Sequence, residues 1–237
     1  MGAIYKCLFI YCQGLFVNRR SFIVAKLMSP RTRLKPDSDI LVSAVRVIER
    51  LGPSRFTLAD VGREADIAPA TLLQRFGSKR GLLLAIASQG ASGVHEEFRR
   101  IRAESRSPLR AIEAVARCMA QMAKTPEALA NHLAFLEIDL ADPDFHRLAL
   151  AHARQFNAEL RTLLEDAVRA GELRRGPVAR LARAVQSLMG GSMLNWAIYR
   201  EGKADVWIAG DLGILLKPYQ ANAASRPKAP RRRKPSS

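Results

Sequence analysis

Residues 57–83 read TLADVGREADIAPATLLQRFGSKRGLL, and this stretch decides the fold. Apolar residues recur at helical spacing in two short runs, and a third run follows after a break. Thr57 and Asp60 have the spacing of a capping box. Pro69 suits the first position of a helix, because its fixed φ is helical and its missing N–H is not needed there. The pattern predicts two short helices joined by a tight turn, then a longer helix capped by Ser78.

Another helix precedes this stretch. Residues 39–51 place apolar side chains on one face, Asp37 or Ser38 can cap the start, and a Gly-Pro pair follows the end. Two short helices joined by a turn of about three residues form a helix-turn-helix, whose second helix lies in the major groove of DNA. The sequence therefore predicts a DNA-binding domain over residues 37–87, with its recognition helix starting at Pro69.

The composition favours helices throughout the chain. Of the 237 residues 48% are apolar and only 6% aromatic, and no run alternates β-branched with polar residues as a strand does. Alanine, leucine and arginine dominate, and all three are good helix formers. Further helices are expected at 108–124, 126–140, 144–170, 177–201 and 205–216. The predicted fold class is all-α, with an N-terminal three-helix helix-turn-helix domain and a larger C-terminal helical domain over residues 88–220.

The net charge of +16 is concentrated at the two ends of the chain. Residues 1–35 carry seven lysines and arginines, residues 221–237 carry six, and neither segment holds an acidic residue. Between them 25 basic residues face 22 acidic ones, so the expected folded body is nearly neutral. Basic arms raise the non-specific affinity for a polyanion in a salt-dependent way, but they do not read sequence.

Both ends are expected to be disordered. The apolar run at residues 4–17 is shorter than the roughly 20 residues of a bilayer span, and its charges do not precede it as they do in a secretory signal. We interpret residues 1–36 as a basic extension with Met28 as the natural start, in preference to a membrane anchor. Residues 221–237 are expected to form a disordered basic tail. The three cysteines have no metal-ligand spacing, which fits a reducing, cytoplasmic setting.

Residues 40–83 resemble the DNA-binding domain of the tetracycline-repressor (TetR) family of bacterial transcription regulators. The resemblance is strongest in the run T-L-x-x-x-F-x-S-K-x-x-L-L, which begins at Thr71. Three positions depart from the family pattern. Asp66 stands where the turn usually has glycine, Leu73 where tyrosine is common, and Arg75 where histidine or tyrosine is frequent. The resemblance implies a DNA-binding regulator that is not an enzyme and needs no cofactor.

This resemblance assigns the DNA contacts to two groups. The residues expected to position phosphates are Thr57, Arg75, Ser78 and Lys79. The residues expected nearest the base edges are Ala68, Pro69, Ala70, Thr71, Leu73 and Gln74. Gln74 is suited to hydrogen bonding with adenine, and Leu73 to contact with a thymine methyl group.

These assignments have structural alternatives. Thr57 and Ser78 can serve only as helix caps, and Arg75 and Lys79 can be ordinary solvated charges. The arm at residues 31–35 can follow the phosphate backbone or enter the minor groove.

The resemblance also implies a small-molecule pocket in the C-terminal domain, among helices rich in large adaptable side chains. The residues expected to line it are Met119, Met122, His132, Phe135, Asp139, Phe156 and Trp196, with core packing as the alternative for each. A four-helix interface between two subunits is implied as well. The residues expected there are Ala179, Ala182, Leu188, Gly190, Gly191 and Leu194, with packing inside one subunit as the alternative.

A metal site is not expected. Six potential ligands fall within 21 residues: His132, Asp139, Asp142, Asp144, His146 and His152. However, no pair of histidines has the i, i+4 spacing that puts two imidazoles on one helical face. The sequence at 142–144 is explained more simply by a turn and a helix cap.

The sequence thus predicts a cytoplasmic, homodimeric repressor of a palindromic DNA operator, released by a small apolar effector and without a membrane partner. Two other functions are compatible with parts of the sequence. One is non-specific, nucleoid-type DNA binding through the basic arms. The other is a helical small-molecule-binding protein or enzyme whose helix-turn-helix is incidental.

Overall fold

The computed structural model describes residues 35–121 and 124–221. Within these ranges the chain forms nine α-helices, and the predicted all-α fold is confirmed. The helices are α1 Asp37–Leu51, α2 Leu58–Ala65, α3 Pro69–Phe76, α4 Lys79–Glu104, α5 Pro108–Ala120, α6 Pro126–Ala141, α7 Pro143–Arg169, α8 Val178–Tyr199 and α9 Ala204–Leu216. A 3₁₀ turn at Lys217–Tyr219 follows α9.

Several predictions concern segments outside the described residues. These are the basic extension up to residue 34 with its proposed start at Met28, the tail from residue 222 onward, and Met122 as a pocket residue. Among the residues that are described, no helix is both long and apolar enough to span a bilayer.

The helices begin where the sequence supplies caps. Thr57 Oγ1 accepts the Asp60 N–H at 3.2 Å, and Asp60 Oδ2 accepts the Thr57 N–H at 2.9 Å, which confirms the capping box. Ser78 caps α4 by accepting the Gly81 N–H at 2.9 Å. Asp142 caps α7 in the same way, which confirms the interpretation of residues 142–144 as a turn and a cap.

The start of α1 differs from the prediction. The helix begins at Asp37, its N-cap residue is Pro36, and no side chain caps it. The expectation that Asp37 or Ser38 is the cap is therefore wrong. Asp37 lies in the first turn instead, where a carboxylate interacts favourably with the helix dipole.

Two hydrophobic cores share one long helix. The first core is built from α1–α3 and the first turns of α4, and it also includes Phe135 from α6 and Phe145 from α7. The second core is built from α4–α9. Ile86 belongs to the first core and Val94 to the second, so α4 passes from one to the other without a break. The domain boundary expected at residues 87–88 falls inside this helix.

The turn between α2 and α3 depends on a glycine other than the expected one. Asp66, in the usual glycine position, adopts a left-handed conformation with φ 54°. The Ile67 N–H donates to the Gly62 carbonyl at 2.9 Å, which brings the turn back onto α2. A Cβ added to Gly62 would lie 2.7 Å from the Ile67 carbonyl oxygen, closer than real Cβ atoms approach. The tight turn therefore requires glycine at position 62.

Polar bonds join the helix-turn-helix to the α6–α7 corner. Arg80, in the first turn of α4, donates to Asp142 at 2.8 Å and to Asp144 at 2.9 Å. These bonds to Arg80 hold the pKa values of both carboxyl groups below their ordinary range. On the other side of the joint, Asn131 Nδ2 donates to the Glu49 carbonyl at 2.8 Å. Burial here raises the pKa of the Glu49 side chain to about 7.

Candidate nucleic-acid interface and cavity

The α3 helix presents one face to the solvent. Leu72 is fully buried, whereas Leu73 is 53% exposed and Gln74 is also exposed. The first turn of the helix is open too, with Ala68, Pro69 and Ala70 exposed and Thr71 half-buried. The six residues predicted to lie nearest the base edges therefore share one accessible surface. This surface begins at the N-terminus of the eight-residue helix α3, where the small side chains permit another molecule to approach closely.

Arg75, at the other end of α3, is engaged within the protein. Its Nη1 donates to the Lys35 carbonyl at 2.5 Å, and its Nη2 lies 2.6 Å from Asp37 Oδ1. The Arg75 side chain is 22% exposed. The residue thus fastens α3 to the start of α1, and a phosphate contact would have to share the guanidinium with these partners.

Two lysines beside α3 are also held by carbonyl oxygens. Lys35 Nζ donates to the Ala65 carbonyl at 2.5 Å. Lys79 Nζ donates to the Ser54 carbonyl at 2.8 Å and lies 4.4 Å from the centre of the Phe56 ring. Partial burial lowers the pKa of Lys79. Neither lysine is paired with a carboxylate in these bonds.

The hydroxyl groups of the two cap residues differ in availability. Thr57 Oγ1 donates to Asp60 Oδ2 at 2.7 Å while it accepts the Asp60 N–H, so both of its polar functions are used. These bonds from Thr57 lower the pKa of Asp60, which keeps a negative charge beside Thr57. Ser78 Oγ accepts from Gly81, and no described residue accepts its proton, so the hydroxyl can donate to a phosphate. Ser78 is therefore better placed than Thr57 for the predicted contact.

A separate cavity of about 240 Å³ lies between α4, α6 and α7 in the larger domain. Four of the predicted pocket residues line it: Met119, Phe135, Asp139 and Phe156. Burial raises the pKa of Asp139 to about 6, an effect that the nearby His146 partly opposes. The cavity is thus a mainly apolar space that contains one carboxyl group.

Two predicted pocket residues lie elsewhere. Trp196 is 6% exposed in the second core, and its indole N–H donates to the Gly202 carbonyl at 3.2 Å. His132 is half-buried on α6 outside the cavity lining, and burial lowers its pKa to about 4, with a smaller contribution from Lys124.

Sequence reasoning missed other lining residues, notably Gly90, His146, His152 and Gln186. Both histidines were considered only as metal ligands. Their six-residue spacing is about 1.7 turns of α7, and both still line this one cavity. The structure forms no group of three or more potential metal ligands within the described residues.

A third surface runs along α8 and α9. Five large hydrophobic side chains are exposed there: Leu194, Ile198 and Tyr199 on α8, and Val206 and Ile214 on α9, with exposures of 45%, 68%, 63%, 64% and 73%. Of the residues predicted at a subunit interface, Ala179, Gly191 and Leu194 are exposed, Gly190 and Leu188 are half-buried, and Ala182 is fully buried in its own core. A Cβ added to Gly191, Gly210 or Gly213 would have no neighbour within 4 Å.

Residues 40–86 match the family model described as bacterial regulatory proteins, tetR family. The N-terminal domain is a TetR-family DNA-binding domain. The match covers most of α1, all of α2 and α3, and the first turns of α4, which supply most of the first core. The exposed face of α3 lies within the matched residues.

Solved structures with TetR-like folds extend the likeness beyond this domain. The FadR regulator of Bacillus subtilis, solved with stearoyl-CoA, is 16% identical with a TM-score of 0.60, over 75% of this chain and 96% of that one. A TetR-family regulator of Agrobacterium tumefaciens is 23% identical with a TM-score of 0.58, over 78% and 97%. The fatty acid degradation regulator FadR of Bacillus halodurans is 14% identical with a TM-score of 0.61, over 76% and 98%. No curated protein matches the sequence. At these identities the TetR-like fold is what the likeness shows.

Proposed function

We propose that this TetR-type regulator is a cytoplasmic homodimer that represses transcription from a palindromic operator and is released by a small apolar effector. The observation that carries the proposal is the exposed face of α3, an eight-residue helix fastened at both ends and open along one side. TetR-family regulators are generally transcription factors rather than enzymes.

Base readout is assigned to the exposed face of α3. Gln74 can donate and accept at once, which matches the N7 acceptor and N6 donor of adenine. Leu73 offers an apolar surface to a thymine methyl group. The short side chains of Ala68 and Ala70 let the helix N-terminus approach the groove closely.

Phosphate positioning is assigned to the residues around α3. The Ser78 hydroxyl has no acceptor among the described residues and lies at the N-terminus of α4, where the helix dipole attracts anions. Lys79 supplies a positive charge one residue further on. Arg75 acts chiefly as a brace, since its two bonds set the angle between α3 and the start of α1.

A second copy of the chain is the partner assigned to the surface along α8 and α9. Exposed branched side chains alternate there with glycines that have open space before them, which suits the close approach of two helix pairs. A two-fold axis through this surface would relate two α3 helices. Such a dimer would read half-sites about 34–36 Å apart, or a multiple of that distance.

Release follows from the position of the cavity. Ala87 and Gly90 of α4 line it, and the same helix carries Leu82 and Leu83 in the core beneath α3. An effector that fits better when α4 is tilted favours the conformation with the DNA-binding domains misplaced. The weakening of operator binding then equals the differential affinity of the effector for the two conformations. The B. subtilis FadR structure with stearoyl-CoA supports an apolar effector.

The test is a selection of random DNA duplexes with the full-length protein, repeated with residues 28–220 alone. Recovery of one palindrome by both proteins is the expected result. Binding without sequence preference that disappears at moderate salt and on removal of the arms would favour the nucleoid-type alternative. Ligand binding or turnover with no DNA binding at all would make the helix-turn-helix incidental.

A further inference from the structure

The cavity between α4, α6 and α7 has an uneven chemistry. Most of its wall is hydrocarbon, with Phe135 and Phe156 on two sides. Among the described residues that line the cavity, Asp139 is the only acidic one, and there is neither a lysine nor an arginine. The described lining therefore offers a carboxylate or phosphate ligand no lysine or arginine to pair with.

The other polar groups of the lining are occupied or lie near the mouth. The Gln186 side chain accepts from Asn157 Nδ2 at 2.9 Å and donates to the Ala153 carbonyl at 3.3 Å, so its carboxamide is fixed. The His152 ring stacks on Phe156, with 6.2 Å between ring centres. His146 is exposed. The polar group that remains to be satisfied is the Asp139 carboxylate.

Asp139 has no hydrogen-bond donor among the described residues, although it is only half-exposed. A desolvated carboxylate without a donor is unfavourable, in keeping with its raised pKa. A ligand that brings a donor, and above all a positive charge, would remove this penalty on binding. A ligand that brings a second negative charge would add to it.

We propose that the cavity takes a compact apolar amine, whose ammonium group donates to the Asp139 carboxylate while its hydrocarbon body lies against Phe135 and Phe156. The aromatic rings add a favourable interaction with a cation within about 6 Å of a ring centre. The volume of about 240 Å³ lies below the roughly 300–1,000 Å³ of sites for drug-sized molecules, so the amine must be small. The inference rests on the proposed effector function and departs from the acyl-CoA bound by B. subtilis FadR.

Three naphthalene derivatives with the same ring body test the charge preference: 1-naphthylmethylamine, 1-naphthylmethanol and 1-naphthoate. Their affinities for the full-length protein are measured by titration calorimetry at pH 7.5. The amine is expected to bind about tenfold more tightly than the alcohol, because a charge-assisted hydrogen bond replaces a neutral one, and the carboxylate is expected to bind most weakly. This comparison uses the wild-type protein and does not depend on any variant folding.

Asp139→Asn locates the effect. The variant should bind the amine about tenfold more weakly and the alcohol nearly as before. Glu137→Gln removes an equal charge from the exposed side of the same helix and should change neither affinity. In gel shifts with a selected operator, the amine should release DNA from the wild type and not from Asp139→Asn at the same concentration.

Each failure has its own meaning. Tighter binding of naphthoate than of the amine would overturn the amine proposal and leave an effector cavity of the opposite charge preference. An unchanged preference in Asp139→Asn would overturn the role of that residue. If none of the three compounds binds at millimolar concentration, the cavity is not a site for compact amines. The duplex selection, which uses no ligand, separately decides whether the protein is a regulator.

Discussion

The exposed face of α3 and the exposed face of α8 and α9 both leave apolar side chains in the solvent, but in different ways. On α3 a single large one, Leu73, stands among small residues and Gln74. On α8 and α9 branched side chains recur along helices of 22 and 13 residues. The first surface suits a few directed contacts in a groove. The second suits extended packing against a similar surface.

The two faces also differ in how they are supported. The α3 helix is too short to be stable alone, and it is held by the Gly62 turn, the Arg75 bonds and the core beneath it. The α8 and α9 helices pack on the second core along their inner sides and bond to each other, with Ser192 Oγ donating to Asp211 Oδ2 at 2.6 Å. Changes near α3 should therefore alter folding and specificity, and changes on the outer side of α8 and α9 should alter assembly.

The largest expected effect comes from a charge in the α8–α9 face. In Ile214→Arg each subunit would bring an unpaired cation to the interface, at a cost of several kcal/mol per ion when buried. We expect the dimer to dissociate and operator affinity to fall more than about 100-fold, as measured by analytical ultracentrifugation and gel shift. Leu133→Arg, on an exposed part of α6 outside the cavity lining, is the matched control and should remain dimeric. A dimeric Ile214→Arg protein would place the interface elsewhere.

Two glycine-to-alanine changes should distinguish the role of the α3 region in folding from the role of the α8–α9 face in assembly. Gly62→Ala forces a Cβ against the Ile67 carbonyl, and overpacking of this kind should lower the free energy of unfolding by about 2 kcal/mol. A Cβ at position 213 would have no described neighbour within 4 Å outside its own helix, so Gly213→Ala should preserve or raise the stability of the subunit through helix propensity. The same Gly213→Ala change should weaken the dimer. Urea denaturation and sedimentation report the two effects, and equal loss of stability in both variants would contradict the distinction.

A smaller and more selective effect is expected from Gln74→Ala. Loss of a bidentate contact to one base should reduce discrimination at that base pair by about 1–2 kcal/mol, with little change at the other positions. Binding to a panel of operator variants measures it. Arg75→Ala is the informative companion, because loss of its bonds to Lys35 and Asp37 should destabilise the domain as well as weaken binding to every sequence. If Arg75→Ala weakens binding to every sequence equally and leaves the stability of the protein unchanged, Arg75 acts as a phosphate contact and not as a brace.

The smallest effect concerns the joint between the two regions. Burial raises the pKa of Glu49 from 4.5 to about 7, so its charged form is unfavourable in the folded state, and stability is lost as the pH rises from about 4.5 through 7. Glu49→Gln should therefore stabilise the protein at pH 8 by about 1 kcal/mol, after allowance for solvent screening, and hardly at all at pH 4.5. Urea denaturation at the two pH values measures the difference. Glu137→Gln, at an exposed position, is the control. If Glu49→Gln raises the stability equally at both pH values, titration of Glu49 is not the cause of that gain.

The helix-turn-helix could be predicted from sequence because its signals are local. The Thr57 capping box, Pro69 at a helix start and the Ser78 cap each lie within three residues of the bonds that they determine. The ends of α5–α9 were predicted to within a few residues for the same reason. The sequence does not predict that α4 continues unbroken to Glu104, because no change in the apolar pattern marks the point where one core ends and the next begins.

The features that the sequence did not reveal depend on contacts between distant segments. Arg75 meets Lys35 across 40 residues, so its bonds are invisible to any local pattern. Asp139 was identified as a pocket residue, but the absence of a donor around it emerges only when α4, α6 and α7 are packed together. Ala182 and Trp196 have the composition expected of an interface and a pocket, yet the rotation of α8 turns both toward its own core. To assign these two residues correctly, one must know which side of α8 faces the core, and the content of small residues does not determine this.

The unbroken α4 helix has a mechanical consequence. Its 26 residues span about 39 Å at 1.5 Å per residue, and Ala87 and Gly90 beside the cavity lie about a third of the way along it. If α4 pivots as a rigid rod about its Glu104 end, a tilt of about 3° displaces the Lys79 end by about 2 Å. In a symmetric pair of subunits the two displacements oppose each other and the change in spacing doubles. A ligand only slightly wider than the empty cavity would therefore change the distance between the two α3 helices. That distance would then no longer match the spacing of successive turns of DNA.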